Sequence, residues 1–245
     1  MMKWNKKLKN FLYIITCNLY RKITFIYYKT KYKNIKKLST LKDSHILYQR
    51  NNPCSEIIEI NRIDKIIKGK YQEVLILEKE YIHEVINNIF DNNFKECIYK
   101  YTNCKFSIDF ILFYQNKYIN KNNRFKSIYA NNMHIDKPFS PFTLKIFIPI
   151  NIFSDKYGPL EVKVKDCNYY NAVSYNSRDF IKFFSEKNLT NIFIFNPSEN
   201  YHRACIPRKN YYSQNLLLQL NPSQEWSMCR NLYLKQFNIE PNFPE

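Results

Sequence analysis

The chain has 245 residues, 45 % hydrophobic and 17 % aromatic, enough for a domain with a substantial core and too apolar for global disorder. Only two glycines occur, Gly69 and Gly158, which excludes glycine-rich phosphate loops and dinucleotide fingerprints. The formal charge of +17 lies mainly at one end: residues 1–42 hold twelve Lys or Arg and no acid, so the charge reads as a basic arm and a nucleic-acid partner is not the favoured expectation.

Residues 1–45 form a basic, aromatic-rich N-terminal arm in which lysines alternate with Trp4, Leu8, Phe11, Leu12, Ile15, Phe25, Tyr27 and Tyr28. Such a helix either packs on the domain with a solvated basic face or makes peripheral membrane contact through residues 1–42. The run Phe11–Cys17 follows four lysines as in a signal peptide, but no A-x-A-like cleavage site follows, so cleavable secretion is not expected. No apolar run approaches the length of a membrane span. Seven cysteines without a C-x-x-C motif read as free thiols of a reducing compartment, which makes the cytoplasm the expected location.

Residues 46–245 form the main domain, with a helical N-terminal part. Ile57, Ile58, Ile60, Ile63, Ile66 and Ile67 are spaced mostly as in a helix, with Gly69 placed as its C-cap. Val74–Leu77 reads as a short buried strand. Ile82, Val85, Ile86, Ile89 and Phe90 predict an amphipathic helix over 79–91, with His83 on its polar side. Beyond residue 105 short apolar runs alternate with polar, proline-marked breaks: Ser107–Tyr114, Ser127–Asp136, Leu144–Ile150, Leu160–Val164, Asn191–Phe195 and Asn215–Leu220. This is the rhythm of an all-β sandwich or barrel.

Two of these segments carry chemistry. On a strand, positions i and i+2 share a face, so His134 and Asp136 can converge on one ion while Ile135 packs away. His202, 68 residues later, can supply the third ligand. Two imidazoles and one carboxylate are the donors of a facial triad that leaves one side of an Fe(II) ion open.

The stretch His134–Ile150 (HIDKPFSPFTLKIFIPI), then Gly158-Pro159, Tyr201-His202-Arg203-Ala204 and Asn215–Ser223 (NLLLQLNPS), resembles the phytanoyl-CoA dioxygenase-like branch of the Fe(II)/2-oxoglutarate-dependent oxygenases. The resemblance covers roughly residues 69–223. It implies a mainly β fold, a double-stranded β-helix or jelly roll flanked by N-terminal helices. It also implies an enzyme that holds Fe(II) through His134, Asp136 and His202 and uses 2-oxoglutarate to hydroxylate a small-molecule, lipid or glycan-linked substrate. The presence of Asp136 favours hydroxylation over halogenation, which in related enzymes needs a small residue there.

Two departures stand out. The family carries an Arg ten to thirteen residues after the distal His to hold the far carboxylate of 2-oxoglutarate; this chain has Tyr212, Ser213, Gln214 and Asn215 there. A carboxylate in a semi-buried barrel needs a cationic partner, and Lys145 or Arg208 is expected to serve. Where the family often continues Gly-Pro with a Gly-Ser-His, this chain reads Lys165-Asp166-Cys167. The alternatives are a catalytically inactive jelly-roll binding protein and a basic adaptor at membranes or nucleic acid, led by residues 1–42.

Overall fold

A computed structural model describes residues 6–38, 45–52, 62–69, 72–120, 131–136, 140–163 and 180–228. The chain opens with α1 (Lys6–Lys31), followed by strands β1 (His45–Arg50), β2 (Ile63–Lys68) and β3 (Gln72–Leu77). Helices α2 (Lys79–Ile89) and α3 (Asn92–Thr102) come next. The remaining strands are β4 (Lys105–Asn116), β5 (Leu144–Pro149), β6 (Leu160–Lys163), β7 (Phe180–Phe183), β8 (Thr190–Phe195), β9 (His202–Ala204), β10 (Ser213–Ser223) and the short β11 (Ser227–Met228).

The strands form two sheets. The larger runs β1-β8-β5-β10-β4-β3-β2, with β11 beside β4; the smaller runs β7-β6-β9. An isolated antiparallel bridge, His134 with His202, continues the smaller sheet past β9. From β4 onward the chain winds between sheets: β4 in the large one, His134 in the small, β5 in the large, β6 and β7 in the small, β8 in the large, β9 in the small and β10 in the large. That alternation is the path of a jelly roll, so the predicted fold class is the observed one.

Each face of the large sheet has its own partner. Ile146, Ile148, Ile192, Ile194, Leu216, Leu218 and Leu220 point outward into one core with Ile82, Val85, Ile86 and Ile89 of α2 and Phe94 and Ile98 of α3. The alternate residues Phe147, Phe193 and Phe195 point inward and meet Leu160, Val162 and Phe183 of the small sheet. Phe183 stacks on Phe193 with centroids 3.8 Å apart. Period-two alternation thus gives β5 and β8 two buried faces, which is why they read as near-continuous apolar runs.

Two sequence expectations change. Ile63, Ile66 and Ile67 lie on β2, which pairs antiparallel with β3, and Gly69 N–H donates to Gln72 O at 2.9 Å. The helical spacing was a short-window coincidence that cross-strand pairing overrides. The earlier part of that proposed helix, with Ile57, Ile58 and Ile60, lies outside the described residues. The strand expected over 127–136 is, among the described residues, only the bridge at His134. Helix α3 was not anticipated, although Asp91 caps it by accepting from Phe94 N–H at 2.7 Å and Asn103 closes it in a left-handed conformation. The predicted helix over 79–91 and the predicted strands within β3, β4, β5, β6, β8 and β10 are present.

A candidate metal centre at one mouth of the barrel

The bridge brings the two histidines together through the main chain. His134 N–H donates to His202 O at 3.0 Å and His202 N–H donates to His134 O at 2.8 Å. Two residues on, Asp136 N–H donates to Pro197 O at 2.8 Å, which folds the carboxylate back between the rings. Asp136 Oδ1 then lies 3.4 Å from His134 Nε2 and 3.7 Å from His202 Nε2, with the ring centroids 4.5 Å apart. One ligand atom from each of the three residues falls within 4.8 Å of the others. Three ligands about 2.1 Å from one ion at right angles would stand about 3 Å apart, so a small contraction closes this set onto a metal.

Both rings are held in the tautomer that ligation requires. His134 Nδ1 sits 2.7 Å from Asn132 O and His202 Nδ1 sits 3.0 Å from Asn200 O. A carbonyl oxygen can only accept, so each Nδ1 carries the proton and each Nε2 presents its lone pair to the centre. Burial lowers the His202 imidazole to about 3, and the Lys145 charge works in the same direction against the pull of Asp136. Burial by itself would raise the Asp136 carboxyl, but the adjoining His134 ring, the Lys145 ammonium and the His202 ring outweigh it and hold the group well below the usual carboxylate range. A neutral imidazole and an ionised carboxylate are the protonation states that ligate a metal. Cys205, three residues past His202, is no competing thiolate: burial pushes its thiol up to about 12.

A buried turn at 196–200 holds the ligands in place. Asn196 Nδ2 donates to Pro141 O at 2.5 Å, Ser198 Oγ donates to Ser140 O at 3.1 Å, and Asn200 Nδ2 donates to Lys163 O at 3.3 Å. These residues, together with Pro197 O and Asn200 O, tie the segments bearing Asp136 and His202 into one frame. Sequence reading missed them. Their only signal is the polar run Asn196-Pro197-Ser198-Glu199-Asn200 directly after an apolar strand.

The two cations expected to hold a cosubstrate end in different places. Lys145, on β5, points inward and its Nζ pairs with Asp136 Oδ2. Arg208 is exposed in the connection from β9 to β10, where its backbone N–H donates to Lys156 O at 2.8 Å. Arg203, beside His202, turns away and binds Glu161 at 2.7 Å. Of the aromatics on β4, Phe113 belongs to the outer core, while Tyr114 is buried opposite Asn215 of β10. Asn215 occupies the stretch where the resembled family has its Arg, and its Oδ1 is buried without a hydrogen-bond partner. Lys165, Asp166 and Cys167 lie outside the described residues.

No protein-family model matches the sequence, and no curated protein sequence matches it either. Solved structures resemble it in shape. HygX from Streptomyces hygroscopicus, crystallised with nickel, 2-oxoglutarate and hygromycin B, aligns over 79 % of this chain and 86 % of its own at 6 % identity and a TM-score of 0.49. The non-heme alpha ketoglutarate dependent epimerase SnoN from nogalamycin biosynthesis aligns over 79 % of each chain at 7 % identity and a TM-score of 0.47. EctD from S. alaskensis, with 2-oxoglutarate and 5-hydroxyectoine, aligns over 73 % of this chain and 72 % of its own at 10 % identity and a TM-score of 0.45. The fold of this chain is established by its own strand order, a jelly roll that carries a His-Asp-His cluster.

Proposed function

We propose that the protein is a non-haem Fe(II)/2-oxoglutarate-dependent oxygenase that hydroxylates a small-molecule, lipid or glycan-linked substrate. The observation that carries this reading is the convergence of His134 Nε2, His202 Nε2 and Asp136 Oδ1, with both Nδ1 atoms already committed to backbone carbonyls. Two neutral nitrogens and one anionic oxygen on one side of a point fit Fe(II) and leave the other side open. Held by His134, Asp136 and His202, Fe(II) would supply, with 2-oxoglutarate and O₂, the oxidising chemistry for hydroxylating a substrate carbon, with 2-oxoglutarate converted to succinate and CO₂.

The chain's own residues orient and enclose. Lys145 pairs with Asp136 Oδ2 and leaves Oδ1, the oxygen facing the histidines, as the one that would hold the metal. An ammonium has three donors, and those not used on Asp136 are available to a 2-oxoglutarate carboxylate. Lys145 thus takes the anchoring role ahead of the exposed Arg208. Phe195 packs edge-on against the His202 ring with centroids 5.1 Å apart and keeps water from that side of the site.

The test is anaerobic addition of Fe(II) and 2-oxoglutarate to the purified protein. The expected result is one iron per chain, a charge-transfer band dependent on both additions, and succinate released after O₂ is admitted. Protein that takes up no iron, or binds iron without the band, overturns the proposal. One observation favours a second reading, an inactive binding barrel: the Lys145–Asp136 pair already neutralises the carboxylate without a metal. That reading predicts no iron uptake together with retention of the folded barrel.

A further inference from the structure

Helix α1 meets the domain along one narrow stripe. Cys17 is buried, Arg21 binds Glu199 at 2.5 Å, and Thr24 and Tyr28 are half-buried. Phe25 and Tyr28 rest on Phe142, with centroids 5.4 Å and 6.2 Å away. The spacing 17, 21, 24, 28 is one helical face.

The opposite face is aliphatic and uncovered. Leu8, Leu12, Ile15, Leu19, Ile23 and Ile26 are each between 40 % and 65 % exposed. At 3.6 residues per turn they fall within an arc of about 80° and along about 27 Å of helix. Exposed Phe11, Tyr20 and Tyr27 flank the stripe. The helix also carries Lys6, Lys7, Lys9, Arg21, Lys22, Lys29 and Lys31 and no acidic residue.

We propose that α1 is an interfacial anchor that seats the protein on an anionic lipid bilayer, with the Leu/Ile stripe sunk among the acyl chains and the lysines at the headgroups. An aliphatic stripe bordered by aromatics and lysines is the pattern of a helix lying in a membrane interface. Charge selects this occupant over a second copy, because pairing two such helices would set seven like charges against seven. The helix does not span: its longest uncharged stretch, Asn10–Tyr20, is about half of what a crossing needs, and no helix among the described residues is long and apolar enough to cross a membrane. Single-stranded nucleic acid fits less well, since bases stack on aromatic rings and the centre of this face is Leu and Ile. The docked face rests on Phe142 and on Glu199, which lies in the same turn as Pro197, whose carbonyl accepts from Asp136 N–H.

The test is co-sedimentation of the full-length protein with vesicles of phosphatidylcholine alone or with about 30 % phosphatidylserine. Binding is expected only with the anionic lipid. It should weaken at least about tenfold when NaCl is raised from about 0.1 M to about 0.5 M. The double variant Leu19→Glu/Ile23→Glu, and separately Ile15→Ser/Ile26→Ser, should each weaken it at least about tenfold. Leu47→Glu, at an exposed site on β1, should leave it unchanged. Failure of the unaltered protein to bind anionic vesicles overturns the proposal, as does full binding by both stripe variants with native circular dichroism. So does light scattering that shows a dimer which the stripe variants convert to monomer without any vesicle binding, or binding to a single-stranded oligonucleotide but not to vesicles. None of these readouts depends on iron.

Discussion

The two oxygens of Asp136 have separate tasks, one facing the histidine pair and the other facing Lys145. This division makes a testable asymmetry. Lys145→Met leaves a buried carboxylate oxygen without its cation, which should cost about 1–3 kcal/mol of stability in metal-free protein. Less should be lost once a divalent ion sits on Oδ1 and shares the charge. Urea denaturation with and without Co(II) measures the difference, and equal losses in both states would contradict the division of labour. Asp136→Ala should reduce Fe(II) affinity at least about 100-fold, because an outer partner alone is worth about 10–100-fold and this residue is a ligand.

The same residues set an acid limit. His202 is lowered from 6.5 to about 3 in the folded protein, so between those values the unfolded chain binds a proton that the native state does not. Stability therefore falls as pH drops below about 6.5, by up to about 1.4 kcal/mol per pH unit, and this contribution levels off near pH 3. Asp136, held below its ordinary value, adds a second loss that begins only near pH 4. Denaturation midpoints of metal-free protein at pH 7, 6 and 5 should show the first slope, and His202→Gln should flatten it.

The turn at Gly158 has no room for a side chain. Gly158 adopts φ +76°, and a Cβ there would lie 2.4 Å from Cys205 O and 2.7 Å from Pro207 N. The clash is with backbone in the connection from β9 to β10 and cannot be relieved by a rotamer change. Gly158→Ala should cost about 2 kcal/mol or more, a fall in Tm of roughly 4–8 °C by calorimetry. Asp91→Ala, which removes the α3 cap, should cost about 1 kcal/mol. These two elements differ in what the sequence announced. Gly158-Pro159 was legible through the family resemblance, whereas α3 buries only Phe94, Ile98 and Thr102, too sparse a stripe to read. Ile63, Ile66 and Ile67 misled for the opposite reason, since three isoleucines satisfy a helical spacing and a strand equally well until a partner strand is known.

For the molecule as a whole, the rhythm of short apolar runs pointed to an all-β sandwich or barrel, whereas the winding between two sheets was what the family resemblance implied. The supporting turn at 196–200 was not legible, because Asn196, Ser198 and Asn200 donate to main-chain carbonyls, which every residue type carries, in distant segments. Iron added to about 100 times its Kd should stabilise the fold by about 2.7 kcal/mol, and a thermal shift that saturates with one equivalent of Fe(II) or Co(II) would check this.

The reciprocal pair of backbone hydrogen bonds between His134 and His202 has a kinetic consequence. Both amide protons belong to one closed ring, so neither can meet solvent unless the ring opens. Deuterium should enter the two positions together, and the opening that admits it is the one that separates the two imidazole ligands. The lifetime of a bound ion against chelation should therefore track the amide exchange rate at these two residues.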